Sequence, residues 1–261
     1  MFETKRVVID AGHGGGRDPG AVFEGRQEKD DALRLALAVG RILEENGVEV
    51  LYTRINDVYD SPLEKAQIAN ESGADYLISI HRNAMPIPGT ASGIMSLVYQ
   101  YGGVAELLGR NINRELARLG FADLGVIERP GLAILRRSEM PAVLVEAGFI
   151  DNPQDNALFD AMFPEIAQAI ADGILLTIKE EDEARPEYYQ VQVGAYASQQ
   201  IAEEITRELT EQGYPAFYIY QDGFYKVRVG AFLNLDNAVN MEMRLRRNGW
   251  STMLVLEPAV D

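Results

Sequence analysis

The sequence predicts an α/β fold, a mostly parallel sheet with helices on both faces, followed by a small α+β (βαββαβ) domain. Three observations predict it. Short apolar runs such as Val7-Val8-Ile9, Tyr76-Leu77-Ile78 and Val143-Leu144-Val145 show no polar alternation, which suits strands buried on both faces. Amphipathic helical patterns separate these runs. Near the C-terminus a strand, helix, strand pattern occurs twice at an offset of 36 residues, too few copies for a solenoid.

At 261 residues the chain is long for one ordinary domain, so two are expected. Apolar residues make up 47% and charged residues 25%, a globular composition. Cysteine is absent, so disulfides, thiolate-bound zinc and iron–sulfur clusters are excluded, and any metal must use His, Asp or Glu. The net charge of −16 argues against nucleic acid and against adsorption to an anionic membrane. No run of 18 apolar residues is present, so no membrane span is expected. The chain runs from Met1 through Lys5-Arg6 straight into Val7-Val8-Ile9, too short for a signal peptide. The expectation is a monomer that is not exported by the usual signal route, unless a leader has been removed.

Residues 7–10 read as the first strand, and Ala11-Gly12-His13-Gly14-Gly15-Gly16 leaves it as a loop. The loop lacks the Lys-Ser/Thr of a P-loop and the spacing of a dinucleotide fingerprint. Asp18-Pro19-Gly20 is a turn signal. Glu28 opens a long helix whose apolar stripe, Leu33, Leu37, Val39, Ile42 and Leu43, runs to Gly47. An acidic residue at a helix start also has a macrodipole explanation. Residues 48–52 form the second strand, and Ser61-Pro62-Leu63-Glu64 has the capping-box pattern that starts a helix. Residues 76–80 form the third strand, ending on His81. A fourth strand over 93–99, a helix over 104–119 and a short strand over 132–135 follow. The run 143–145 then ends on Glu146, where Gly148 lets the backbone turn away, and residues 166–178 form the closing helix. In open α/β sheets ligands bind at the carboxyl ends of the strands.

The chain has two histidines, each directly after an apolar strand. With Glu28 they offer two imidazoles and a carboxylate, a set used by catalytic zinc sites that keep a fourth position for water. The separations, 15 residues from His13 to Glu28 and 53 from Glu28 to His81, exclude the helical HExxH arrangement. The ligands must come from separate elements. Glu146, brought to the same sheet edge, has the chemistry to take a proton from water and deliver it to a leaving amine, which is amide hydrolysis. The plainer alternative is that Glu146 pairs with Arg136 or Arg137.

Asp10-Ala11-Gly12-His13-Gly14-Gly15, Asp18-Pro19-Gly20-Ala21, Glu28-Lys29-Asp30, Ser79-Ile80-His81-Arg82-Asn83-Ala84 and the stretch from Pro141 to Asn152 together resemble the zinc-dependent N-acetylmuramoyl-L-alanine amidases of bacterial cell walls. The resemblance covers about residues 5–178. It implies that His13, Glu28 and His81 hold one Zn2+ and that Glu146 is the catalytic acid/base. The implied reaction cuts the amide between the lactyl group of N-acetylmuramic acid and the first L-alanine of the stem peptide. Arg82 stands where the family usually has a smaller residue, and it suggests a contact with a stem-peptide carboxylate. Asn83, Arg136 and Arg137 are further candidates for substrate contact. The competing readings are an inactive peptidoglycan-binding scaffold and a zinc peptidase acting within the stem peptide.

Residues 179–186, charged and ending in Pro186, read as a linker between domains at 1–178 and 187–261. Beyond it, Tyr189-Gln190-Val191-Gln192-Val193-Gly194-Ala195-Tyr196 returns as Tyr225-Lys226-Val227-Arg228-Val229-Gly230-Ala231-Phe232. These strands resemble the sporulation-related repeat (SPOR) domain, which implies binding to glycan strands stripped of stem peptides. Tyr189, Gln192, Tyr225 and Arg228 are expected on the open sheet face toward the sugar. Residues 187–261 hold six basic and ten acidic side chains, which opposes an RNA reading. The two-domain pairing is similar to mother-cell lytic amidases of spore formers, with phage endolysins as the second choice.

Overall fold

The computed structural model describes residues 4–183, 187–233 and 235–258. Two compact units divide the chain, Met1–Glu181 and Asp182–Asp261.

The first unit runs β1 (Arg6–Ala11), β2 (Val22–Phe23), β3 (Arg26–Gln27), α1 (Glu28–Glu45), β4 (Glu49–Tyr52), α2 (Pro62–Glu71), β5 (Tyr76–Asn83) and β6 (Ile94–Val98). It continues with α3 (Gly103–Ala117), β7 (Asp123–Glu128), α4 (Ala133–Arg137), β8 (Ala142–Phe149), α5 (Pro153–Ala161) and α6 (Phe163–Glu183). The six-stranded sheet has the order β4-β1-β5-β8-β6-β7, and β2 and β3 form a separate short hairpin. All its neighbours are parallel except β6 and β8.

Strand alternation explains the two-sided core. Val7, Ile9, Ile78, Ile80, Val143 and Val145 point to the face covered by Leu35 and Val39 of α1, Leu108 and Ile112 of α3, and Ile170 and Ile174 of α6. Val8, Leu77 and Leu144 point the other way, to Ala66 and Ala69 of α2 and Ile134 and Leu135 of α4. Both parities are apolar, so a strand without polar alternation is what two covered faces require. Each such Leu or Ile is worth about 1.5–3 kcal/mol of burial.

Local signals set several element ends. Ser61 Oγ accepts from the Glu64 N–H and the Glu64 carboxylate accepts from the Ser61 N–H, completing the capping box of α2. Asn152 caps α5, its side chain accepting from Gln154 and Asp155 N–H, with Pro153 in the first turn.

The structure departs from the sequence reading at several elements. Residues 132–135 are not a strand but lead into α4, because a short apolar run has no period to separate helix from strand. The fourth strand is shorter than 93–99 and runs antiparallel to β8. Strand β7 and helix α5 were not anticipated. Residues 179–183 of the expected linker are helical, continuing α6 to Glu183, the boundary between the two units falls after Glu181, and residues 184–186 lie outside the described residues. Among the described residues no single helix is long and apolar enough to cross a membrane.

The second unit runs β9 (Glu187–Tyr196), α7 (Gln199–Glu211), β10 (Ala216–Gln221), β11 (Phe224–Phe232), α8 (Leu235–Arg247) and β12 (Met253–Pro258). Its antiparallel sheet has the order β10-β11-β9-β12. Val191, Val193, Val227 and Val229 face Ala202 and Leu209 of α7 and Leu245 of α8, so both helices cover one face.

Candidate active site

The site assembles at the carboxyl ends of β1, β5 and β8. Past β1 the chain reaches His13 in a left-handed backbone conformation, φ 58°. Gly12 before it is required for a close approach, since a Cβ there would lie 2.4 Å from the His81 ring. Gly20 fills the same need on the other side, where a Cβ would lie 2.6 Å from both Glu28 Oε2 and the His13 ring.

Glu28, the first residue of α1, lies between the two imidazoles. Its Oε1 is 2.8 Å from His81 Nδ1 and 3.1 Å from His13 Nε2, and it accepts from the Arg82 N–H at 3.1 Å. Its Oε2 accepts from the Ala21 N–H at 2.8 Å. Burial opposes the Glu28 charge, but the bonds from His13 and His81 hold its carboxyl well below the usual range. His13 Nδ1 is 2.7 Å from Asp18 Oδ1, which orients the ring so that Nε2 faces Glu28. Burial works against a charge on His13, yet the Glu28 and Asp18 carboxylates raise its pKa.

One ligand atom from each of His13, Glu28 and His81 lies within 4.8 Å of the others. Two imidazole nitrogens and a carboxylate oxygen, oriented by outer partners, are a donor set that can hold zinc. Glu146 stands beside the cluster as the register partner of His81. Its Oε2 is buried without a hydrogen-bond partner, a state that costs about 1–3 kcal/mol in a closed core and suits a group awaiting a ligand. Burial pushes its carboxyl up to about 7.

A cavity of about 180 Å3 opens over this chemistry, with His13, His81, Asp60 and Lys65 among its polar lining and Pro62, Leu132, Ala133, Ile134 and Leu144 as its apolar wall. A larger cleft of about 850 Å3 lies between α3 and β7. It contains none of the clustered residues, so chemistry and not size assigns the site.

Residues 7–176 match the family described as N-acetylmuramoyl-L-alanine amidase. The chain belongs to this amidase family. Residues 186–255 match the SPOR domain. The chain is 34% identical over 223 residues to the sporulation-specific N-acetylmuramoyl-L-alanine amidase of Bacillus subtilis strain 168, covering 83% of this chain and 85% of that one. It is 34% identical over 192 residues to the endolysin of Bacillus phage SPP1, covering 68% of each. Among solved structures, an N-acetylmuramoyl-L-alanine amidase from Clostridium difficile 630 superposes with a TM-score of 0.63 at 30% identity, over 69% of this chain and 98% of that one. The catalytic domain of CwlV, an amidase of Bacillus (Paenibacillus) polymyxa var. colistinus, gives 0.62 at 32% identity, over 67% and 99%.

Within the amidase domain, Arg82 is not where the sequence reading put it. Strand alternation sends it to the face opposite His81, where it is 2% exposed. It bonds Asp31 and Asn156, both at 2.7 Å, and stacks on the Phe159 ring at 4.0 Å. It cannot meet a substrate carboxylate in the groove. Asn83 remains at the site's edge, its amide 3.5 Å from the sulfur of Met95, the β6 partner of Glu146. Arg136 and Arg137 are exposed on α4, whose start walls the cavity.

Four polar residues of the amidase site escaped sequence reasoning: Asp10, Asp18, Arg54 and Lys65. Asp10 is buried and accepts from Thr53 at 2.6 Å and Ser79 at 2.5 Å, with Lys65 at 3.1 Å. Burial opposes its charge, but Lys65 and the two hydroxyls hold its carboxyl below the usual range. An Asp ending an otherwise apolar strand was the available signal.

In the SPOR domain the four residues expected on one open face separate. Tyr189 shares the parity of Val191, and Tyr225 packs with the helix-covered core, so both tyrosines face the helices. Arg228 is on the opposite face but only 1% exposed, tied to Gln190 at 2.8 Å and Glu257 at 2.7 Å. Gln192, the register partner of Arg228, keeps an accessible amide there.

Proposed function

We propose that this chain is a zinc-dependent amidase that hydrolyses the bond between N-acetylmuramic acid and the L-alanine of the stem peptide, with residues 187–261 holding it on glycan strands. The observation that carries the reading is the convergence of His13, Glu28 and His81 within 4.8 Å, with Glu146 on the adjacent strand. The family match and the amidase relatives support the choice of bond.

The residues divide the work. His13, Glu28 and His81 would hold the ion, and zinc when bound supplies a Lewis acid and lowers the pKa of water toward about 7. Asp18 keeps His13 in the tautomer that turns Nε2 inward. Glu146 takes a proton from the attacking water and returns it to the leaving nitrogen. The C–N bond breaks, leaving a carboxylate on the lactyl group and a free amine on L-alanine. In the metal-free site burial raises the Glu146 carboxyl to about 7, and a carboxyl near neutrality is suited to both transfers. The apolar wall of Leu132, Ala133 and Ile134 limits water around the reacting atoms.

Asn83 and Arg136 are the proposed substrate contacts, and Gln192 the proposed glycan contact. Lysis of a sporulating mother cell is the role that the sporulation-specific relatives support, and phage release the second. Mass spectrometry of fragments released from purified peptidoglycan tests the bond. Peptides that begin with a free L-alanine amine are expected. Fragments cut within the stem peptide would replace this reading with a peptidase.

A further inference from the structure

We propose that Arg54 is a positioning residue that fixes the spacing of the His13 and Glu28 segments, an inference that rests on the zinc reading above. Arg54 lies two residues past β4 and is 3% exposed. Its Nε donates to the Ala11 carbonyl at 2.9 Å, and its Nη2 donates to the carbonyls of Gly12 and Lys29, both at 2.8 Å. Its Nη1 reaches the Asn56 carbonyl at 3.1 Å. Ala11 and Gly12 immediately precede His13, and Lys29 immediately follows Glu28. One planar guanidinium therefore grips the backbone beside two of the three clustered residues.

The grip has a purpose in the local geometry. His13 has a left-handed backbone, which a side-chain-bearing residue seldom adopts without support. Lys65 adds to that support, with Nζ 2.5 Å from the Ala11 carbonyl, 3.0 Å from the His13 carbonyl and 3.1 Å from Asp10 Oδ1. Its three N–H groups are thereby engaged, so Lys65 lines the cavity without a donor to offer substrate. Arg54 spends four of its five donors on backbone carbonyls. The fork matters more than the charge, because the three N–H groups of a single ammonium at position 54 could not serve the four carbonyls that Nε, Nη1 and Nη2 take from separate points.

The test compares wild type with Arg54→Lys and Arg54→Gln by chelator competition for zinc, beside circular dichroism, thermal melting and the absorption spectrum of the cobalt-substituted proteins. The expected result is a native dichroism spectrum, zinc bound about 10–100-fold more weakly and an altered cobalt spectrum. A variant that melts earlier but binds zinc with wild-type affinity overturns the positioning role. Loss of the native spectrum in both variants also overturns it, since Arg54 would then serve folding. Failure of the wild type to bind zinc would instead remove the metal reading beneath it.

Discussion

His81 and Glu146 face each other as register partners on the adjacent parallel strands β5 and β8. The pairing fixes the distance between a proposed metal ligand and the proposed acid/base by the spacing of a sheet, not by a loop. Glu146→Gln removes the proton acceptor while leaving His13, Glu28 and His81 in place. It should keep stoichiometric zinc and lose about 10²–10⁴-fold in kcat. Near-wild-type turnover on a soluble muropeptide would take Glu146 out of the mechanism.

The same residue should contribute a distinct part of the pH dependence of the metal-free protein. Burial pushes the Glu146 carboxyl up to about 7, so the folded state holds its proton more tightly than the unfolded chain does. That contribution is fully present below about pH 4.5 and is lost as pH rises through about 7. Glu146→Gln does not ionise, so it should gain about 3 kcal/mol on wild type across that window. Urea unfolding of both metal-free proteins at about pH 5 and about pH 8 measures it. A pH-independent difference would contradict the burial argument.

Arg82 gives a prediction about stability rather than binding. Its guanidinium ties Asp31 of α1 to Asn156 of α5 and to the Gly148 carbonyl past Glu146. Arg82→Met leaves Asp31 paired with Arg26 but strips the Asn156 oxygen and the Gly148 carbonyl of a buried donor, and it should cost about 1–3 kcal/mol in urea unfolding, with KM for a soluble muropeptide unchanged. A raised KM at unchanged stability would return Arg82 to the groove.

The sequence made some of this legible and hid the rest for identifiable reasons. Two histidines at strand ends, Glu28 opening α1 and the Ser61 capping box were readable because each combines a residue type with a local period or turn rule. Arg82 was misplaced although alternation from His81 already sends it to the opposite face. Asp18 reads as part of an Asp-Pro-Gly turn, and only the fold brings its carboxylate onto His13. Strand β7 was missed because Gly125 and the acidic ends at Asp123 and Glu128 interrupt its apolar run. In the second unit, tyrosines in a Val-x-Val strand looked like a sugar platform, but the two-residue period that buries the valines puts Tyr189 and Tyr225 on the same side.

The second domain should matter only on the polymer. Removing residues 187–261 should slow digestion of whole sacculi much more than hydrolysis of a soluble muropeptide, because tethering raises local substrate concentration without touching the chemistry. Equal losses on both substrates would show that these residues support the catalytic unit itself. Amidase action also strips stem peptides, so pelleting should be stronger on amidase-treated sacculi than on intact ones.

The most direct test joins metal, bond and residues. Wild type and His81→Ala would be analysed for zinc and set on purified peptidoglycan with and without a chelator, with mass spectrometry of the soluble products. About one zinc per wild-type chain, chelator-sensitive release of stem peptides with free L-alanine amines, and neither zinc nor release from His81→Ala are the expected results. Release that persists in a zinc-free wild type, or stoichiometric zinc in His81→Ala, would contradict the account.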